Sequence, residues 1–274
     1  MEQTTADVPP AAAAKIRAKL AGLRRQHDVA IPLAVESGSR AWGFPSPDSD
    51  YDCRFIFVRN LDAYLSPWTS RDVIEMPLDA VYDVNGWDLG KALKLMLKGN
   101  AVVLEWLQSP YVYEGEPAFR SELLELARRH ADRKSIGSHY LHLGQNQWRM
   151  YFGAGGAEVP LKKIFYALRP AAALRWMALH ADEAIPPMNF VTLMEQCNPS
   201  NEVSDYVTDL RQRKALTREL GQSMVPSALV GFITAEYAAA QEWLATLRRS
   251  GAAEAQGEAE AFFRRTVKRL SPTA

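Results

Sequence analysis

The sequence predicts an α/β domain with a small mixed sheet over residues 1–114, followed by an all-helical domain over residues 115–274. Three observations predict it. Short apolar runs bounded by Gly, Pro, Asn and Ser fill the N-terminal part, as strands of a small sheet do. From Pro117 onward the apolar positions recur at helical spacing with few breaks. Between Pro110 and Pro117 the first pattern gives way to the second.

Residues 1–10 read as a disordered tail. Ala11 to Gln26 is rich in the helix formers Ala, Leu, Lys and Arg, with Ile16, Leu20 and Leu23 on one side. Val29 to Glu36 is a short apolar run leading into Gly38-Ser39 and reads as a strand. Ser37 to Ser49, with two Gly, two Pro and four Ser, reads as a loop. Asp50 to Val58 reads as a second strand, Val73 to Met76 as a short edge strand stopped by Pro77, and Ala80 to Val84 as a strand ended by Asn85-Gly86. Asp88 can cap a helix through Lys98, and Ala101 to Gln108 makes a second short helix before Pro110. The helical half divides into candidates at 117–132, 135–151, 158–180, 187–195, 203–221, 225–249 and 255–268. Gly153 to Gly156 and Pro186-Pro187 are its clearest breaks.

Composition narrows the classes. Lys plus Arg and Asp plus Glu number 32 each, so affinity for a polyanion has to come from a local basic face. Cys53 and Cys197 lack metal or disulfide spacing and read as two buried thiols of a reducing compartment. The first residues carry Glu2 and Asp7 and no apolar core of a secretory signal, and the longest apolar stretch near Ala101 contains Glu105. The expectation is a cytoplasmic protein without membrane partners.

The chemistry concentrates in Glu36-Ser-Gly-Ser-Arg-Ala-Trp-Gly-Phe-Pro-Ser-Pro-Asp-Ser-Asp-Tyr-Asp52. Gly38 after a strand lets backbone approach a phosphate, and Ser39 adds an N–H and a hydroxyl. Arg40 brings a fixed positive charge, for a nucleotide or for a structural carboxylate. Asp50 and Asp52 on a strand share a face, roughly 6.5–7 Å apart. Two such carboxylates repel unless a cation stands between them, and Mg²⁺ accepts one or two protein carboxylates beside water and phosphate. Two ions can clamp the attacking and leaving oxygens of a displacement. Taken singly, Gly-Ser and Asp-x-Asp are ordinary turn chemistry. It is the ordered series of strand, Gly-Ser, loop, Asp-x-Asp and second strand that is informative.

That series resembles the nucleotidyltransferase superfamily of DNA polymerase beta over about residues 29–90. Further motifs are similar to the bacterial and phage RNA-repair-pathway polymerase-beta family. They are Gly38-Ser-Arg-Ala-Trp-Gly43, Ser49-Asp-Tyr-Asp-Cys-Arg54, Gly86-Trp-Asp-Leu89, Lys91-Ala-Leu93, Glu105-Trp-Leu107 with Ser109-Pro110, and Tyr166-Ala-Leu-Arg-Pro170. The resemblance implies an α/β nucleotidyltransferase domain and a helical domain, with the active site in the cleft between them. It implies two Mg²⁺ ions, an NTP donor with ATP foremost, and an acceptor such as an RNA or tRNA end.

A third carboxylate belongs to the superfamily pattern, on a later strand. Asp83, in Val81-Tyr-Asp-Val84, fits that pattern best. Asp88, in Gly86-Trp-Asp-Leu89, is the alternative and also has good helix-capping context. In the resembling enzymes this group also serves as general base for the attacking hydroxyl.

In the helical half, Lys162, Lys163, Arg169 and Arg175 fall in one long helix, with Lys162, Tyr166 and Arg169 on one face. A triphosphate needs such cations, although a solvated basic face is the plainer reading. Lys162, Lys163, Tyr166 and Arg169 are therefore candidate nucleotide contacts. Phe165, Tyr166 and Trp176 could stack on a base or pack as core. His139 and His142 have zinc-compatible spacing but no visible third ligand, and read as structural or substrate-contacting. Lys214 and Glu219 lie where they could reach the cleft. The leading expectation is nucleotidyl transfer to an RNA end. Two alternatives are transfer to a protein or small molecule, as in antitoxin-like and antibiotic-modifying members of the superfamily, and a nucleotide-binding protein with an inert site.

Overall fold

A computed structural model describes residues 8–77, 79, 81–152, 158–218, 220–248 and 251–272. Expectations for residues 1–7, for Ala80 as a strand start, for the break at Gly153 to Gly156 and for Glu219 lie outside the described residues.

The first half builds one mixed sheet. Helix α1 (Pro10–His27) leads into β1 (Val29–Ser37), the short helix α2 (Gly38–Trp42), β2 (Tyr51–Arg59), helix α3 (Leu61–Leu65), β3 (Val73–Glu75) and β4 (Tyr82–Asp88). Helices α4 (Leu89–Leu97) and α5 (Ala101–Gln108) and strand β5 (Val112–Gly115) complete it. The strand order is β3-β4-β2-β1-β5. Among the described residues of this sheet, β2 and β4 run parallel and the other pairs are antiparallel.

The sheet is covered on both faces. Leu33, Val35, Ile56 and Val58 belong to a core shared with α4, α5 and the later helices. Val29, Ile31, Ala34, Phe55 and Phe57 face the other way, onto Ile16, Leu20 and Leu23 of α1. The register of β1 shifts between Ala30 and Leu33, around Pro32, which has no N–H to give a ladder. That irregularity lets one strand change the face on which its apolar residues sit. Helices α4 and α5 thus cover one face, and α1 the other. Val8, read as tail, is buried against the same core.

Four local expectations change. Gly38–Trp42 is helical rather than loop. Asn85-Gly86 does not end β4, which runs on to Asp88. Gly86 is there because Phe55 on β2 crowds it: a Cβ would lie 2.3 Å from the ring. Tyr111 to Gly115, unassigned from sequence, carries edge strand β5. Residues 158–160 and 220–221 also leave the expected helices, at the two-residue ladder of β6 (Val159–Pro160) with β7 (Gln222–Ser223).

The helical half comprises α6 (Pro117–His130), α7 (Arg133–Phe152), α8 (Leu161–Leu179), α9 (Phe190–Cys197), α10 (Asn201–Leu216), α11 (Ser227–Thr246) and α12 (Ala252–Leu270). Helix α8 is its axis, buried along most of its length against α7, α9 and α11. Helix α12 packs on α6, where Phe262 meets Phe119, and returns to the first half, where Phe263 meets Tyr64.

Candidate active site

The site begins where β1 ends. Gly38 has φ +63°, and a Cβ there would fall 2.0 Å from Asp52 Oδ2. No side chain can stand at this position, so the backbone closes directly onto the Asp52 carboxylate. Ser39 Oγ donates to Ser49 Oγ at 3.0 Å, and Ser49 Oγ accepts from the Ser46 N–H at 2.9 Å. These bonds fasten the Gly-Ser turn to the far end of the Pro-rich loop. Arg40 donates from Nε to the Asp50 carbonyl at 3.1 Å and from Nη2 to the Ser49 carbonyl at 2.6 Å, while lying over the Tyr51 ring. These two bonds go to the backbone that carries Asp50.

Strand β2 brings Asp52 beside Asp83. The two are direct partners in the parallel β2–β4 register, flanked by the stacked rings of Tyr51 and Tyr82. Arg54, on the same face as Asp52, donates from Nη2 to Asp52 Oδ1 at 3.0 Å and to Asp83 Oδ2 at 2.6 Å. Asp50 is exposed just ahead of the strand. Burial pushes the Asp52 carboxyl above its ordinary pKa; Arg54 opposes the shift, and the charges of Asp50 and Asp83 add to it. Among the described residues no three His, Cys, Asp or Glu side chains stand arranged to hold a metal ion as they are. Between Asp52 and Asp83 stands a guanidinium instead.

Asp88 is elsewhere. It pairs in register with Phe57, toward the other end of β2 from Asp52. It caps α4 by accepting from the Gly90 N–H at 2.7 Å, and its second oxygen accepts from Tyr64 Oη at 2.8 Å. Of the two candidates for a third carboxylate, only Asp83 adjoins Asp52.

Sequence reasoning passed over Glu36. This fully buried carboxyl lies one strand from Asp52, whose N–H it accepts at 3.1 Å, and it also accepts the Tyr113 hydroxyl. Burial pushes its pKa up to about 7. The signal available was a lone acidic residue closing an apolar strand.

The helical half supplies the facing wall. Lys162, in the first turn of α8, stands 3.5 Å from Asp48. Tyr166 is 40% exposed. Burial, and then the charges of Asp52 and Asp50, raise its pKa. Lys163 lies over the rings of Tyr151 and Tyr166. Arg169 does not join them. Its side chain is 6% exposed and donates to Glu105 Oε1 at 2.8 Å, with the guanidinium carbon 4.6 Å from the Trp42 ring centre. Arg169, expected beside the nucleotide, is placed in the core: the helix face that begins with Lys162 dips inward before it reaches Arg169. Arg175 is engaged with Glu236 and the Cys197 carbonyl. His139 is half-buried near Glu105, and burial lowers its pKa.

Glu105 is the hub of that buried cluster. Besides Arg169 it accepts from Trp42 Nε1 and from the Tyr140 hydroxyl, each at 3.2 Å. Trp42 ends α2, so the turn that carries Gly38 and Ser39 is tied through Glu105 to α7 and α8.

Lys214 of α10 reaches the site from behind. Its Nζ is buried, donates to the Phe44 carbonyl at 2.6 Å and lies over the Phe44 ring. Burial, then the charge of Lys162, lowers its pKa to about 8 from 10.5. Between these values the folded protein binds fewer protons than the unfolded chain, so the stability from this group is present above about pH 10.5 and is lost as pH falls through about 8. Lys214→Met is expected to remove that dependence. The stability of wild type relative to the variant rises by roughly 3 kcal/mol between the two pH limits. Urea unfolding of both proteins across that range measures it; parallel curves would refute it.

No described helix is long and apolar enough to cross a membrane. Comparison with known proteins gives two results. A Bacillus subtilis protein, the uncharacterized protein YcgL, is 40% identical over 202 residues, which cover 74% of this chain and 76% of that protein. The family model of RlaP, the RNA repair pathway DNA polymerase beta family, matches residues 12–265. A polymerase beta-like family suggests nucleotidyl transfer, and the matched span takes in the Gly38-Ser39 turn, the Asp52–Asp83 strand pair and the facing wall of α8. The chain belongs to the RNA repair pathway DNA polymerase beta family.

Proposed function

We propose that the protein is a magnesium-dependent nucleotidyltransferase that moves an NMP from an NTP, ATP foremost, to an acceptor hydroxyl on an RNA end. One observation carries the reading: Asp52 and Asp83 are register partners on adjacent parallel strands, directly against a backbone turn at Gly38 that admits no side chain.

The residues suit a divalent cation. Three carboxylates gather at one end of the sheet, close enough that Asp50 and Asp83 both act on the Asp52 charge, and a cationic group already bridges two of them. Asp50, Asp52 and Asp83 would hold the metal, as two Mg²⁺ ions. Bound Mg²⁺ would supply neutralisation of phosphate charge and a lowered pKa for the acceptor hydroxyl. Ser39 and the N–H groups of the Gly38 turn bind and orient the phosphates. Lys162 and Lys163 offer cations to the β- and γ-oxygens from the opposite wall, and Tyr166 flanks the nucleoside. Asp83, the more exposed of the bridged pair at 36% against 19%, takes the proton of the attacking hydroxyl at a carboxylate oxygen. The oxygen–phosphorus bond to the acceptor forms as the bond to pyrophosphate breaks. Catalysis is then mainly positioning and charge neutralisation.

Equal numbers of acidic and basic residues favour no polyanion, and this keeps transfer to a protein or small molecule as a second reading. Incubation with each labelled NTP, Mg²⁺, total RNA and total protein separates the acceptors. Label in RNA is the expected result. Label confined to protein or small molecules supports the second reading. No label in any pool leaves an inert nucleotide-binding protein.

A further inference from the structure

Arg54 is the least expected component of the site. Its side chain is 17% exposed. Besides its two carboxylate bonds, its Nη1 donates to the carbonyls of Cys53 and Asp83, each at 3.1 Å. All four bonds go to β2 and β4, the two strands that carry the carboxylates. Asp52 and Asp83, side by side in a half-buried setting, repel each other in their charged forms, and a shared guanidinium offsets that repulsion. The planar fork suits this better than an ammonium, since it addresses several acceptors at fixed angles.

We propose that Arg54 is an internal counter-cation: it holds Asp52 and Asp83 at their spacing before metal arrives, and it yields the shared carboxylate oxygens when a divalent cation binds. The inference rests on the magnesium reading above. The physical reason is competition. Asp52 Oδ1 and Asp83 Oδ2 both accept from the same Nη2, so one cation occupies the space between them. Metal entering there displaces Nη2 from at least one of them. The two bonds of Nη1 to backbone carbonyls are independent of the carboxylates, so the guanidinium can remain beside the site as a donor for an anion that arrives with the metal. Metal and anionic nucleotide then favour each other's binding, and by linkage the coupling is equal in both directions. Arg54 is in this sense a positioning residue; it sets the affinity and coupling of the site.

The test is a Mn²⁺ titration followed by the spin resonance of free ion, with and without a non-hydrolysable NTP. It compares wild type, Arg54→Gln, Arg54→Lys and Asp52→Asn, each also melted in EDTA and in saturating Mn²⁺. Arg54→Gln is expected to melt lower than wild type in EDTA and to recover with Mn²⁺. It should bind Mn²⁺ alone at least about fivefold more tightly, and gain less from added NTP. Asp52→Asn should bind at least about tenfold more weakly. A purely structural role would lower the melting point equally with and without metal and leave affinity unchanged. If wild type binds Mn²⁺ through Asp52 while Arg54→Gln binds equally or more weakly, the counter-cation role is overturned and the magnesium reading stands. If no protein binds Mn²⁺ with or without NTP, both fall. Should Arg54→Gln fail to fold in EDTA, Arg54→Lys decides by the same comparison. It keeps the charge but not the fork, so it should bind Mn²⁺ more tightly than wild type, and equal or weaker binding overturns the role.

Discussion

Asp52→Asn is expected to lower nucleotidyl transfer by at least about a thousandfold while the protein still folds. Asn matches Asp in shape, and the carboxylate is held in a buried setting that already disfavours its charge. Its loss therefore costs the fold little, and Arg54 keeps its partner in Asp83. The reaction loses a ligand charge at the site of phosphate neutralisation. Several kcal/mol rest on such an ion, and each 1.36 kcal/mol is tenfold in rate. Asp50→Asn should show the same pattern from its exposed position. Turnover within a few fold of wild type in either variant would remove that residue from the metal site, and circular dichroism with melting curves checks that folding is intact.

The second large effect is on stability. Glu105→Ala is expected to destabilise the protein by about 3–5 kcal/mol, the usual cost of leaving one partner of a buried ion pair alone. The carboxylate is 8% exposed, and three donors converge on it: Arg169, Tyr140 and Trp42. Arg169 Nε already has no acceptor among the described residues, so deleting Glu105 strands a charge in the core. Glu105→Gln, which keeps an acceptor, should cost less. Urea unfolding of the two variants measures both, and a loss below 1 kcal/mol in Glu105→Ala would mean that the cluster is not a structural joint.

The strand-turn-strand unit of the candidate site was legible because its information is local. Gly38, Ser39, Asp50 and Asp52 lie within one short stretch, and the spacing alone sets them around one turn. Asp83 was readable as a carboxylate inside an apolar strand. Its adjacency to Asp52 depends on the parallel β2–β4 register, which no local pattern encodes. Gly86 shows the same difficulty in reverse. Asn-Gly is ordinary turn chemistry, yet here the glycine serves a ring on the neighbouring strand. Helical periodicity put Lys162, Tyr166 and Arg169 on one face correctly, but periodicity does not say where along a face the solvent ends. Glu105 was visible only as an odd charge in an apolar helix; its three partners come from α2, α7 and α8. Glu36 and the bridging role of Arg54 likewise arise from contacts between strands.

The central claim, transfer of a nucleotidyl group with pyrophosphate as leaving group, is tested most directly by the position of the label. The protein is incubated with Mg²⁺, RNA and ATP labelled in the α-phosphate, and in parallel with ATP labelled in the γ-phosphate. The account predicts that α-label becomes covalently attached to acceptor while γ-label leaves as pyrophosphate, and that both signals vanish in Asp52→Asn. Transfer of γ-label to the acceptor, or release of γ-label as inorganic phosphate without any α-transfer, would contradict it.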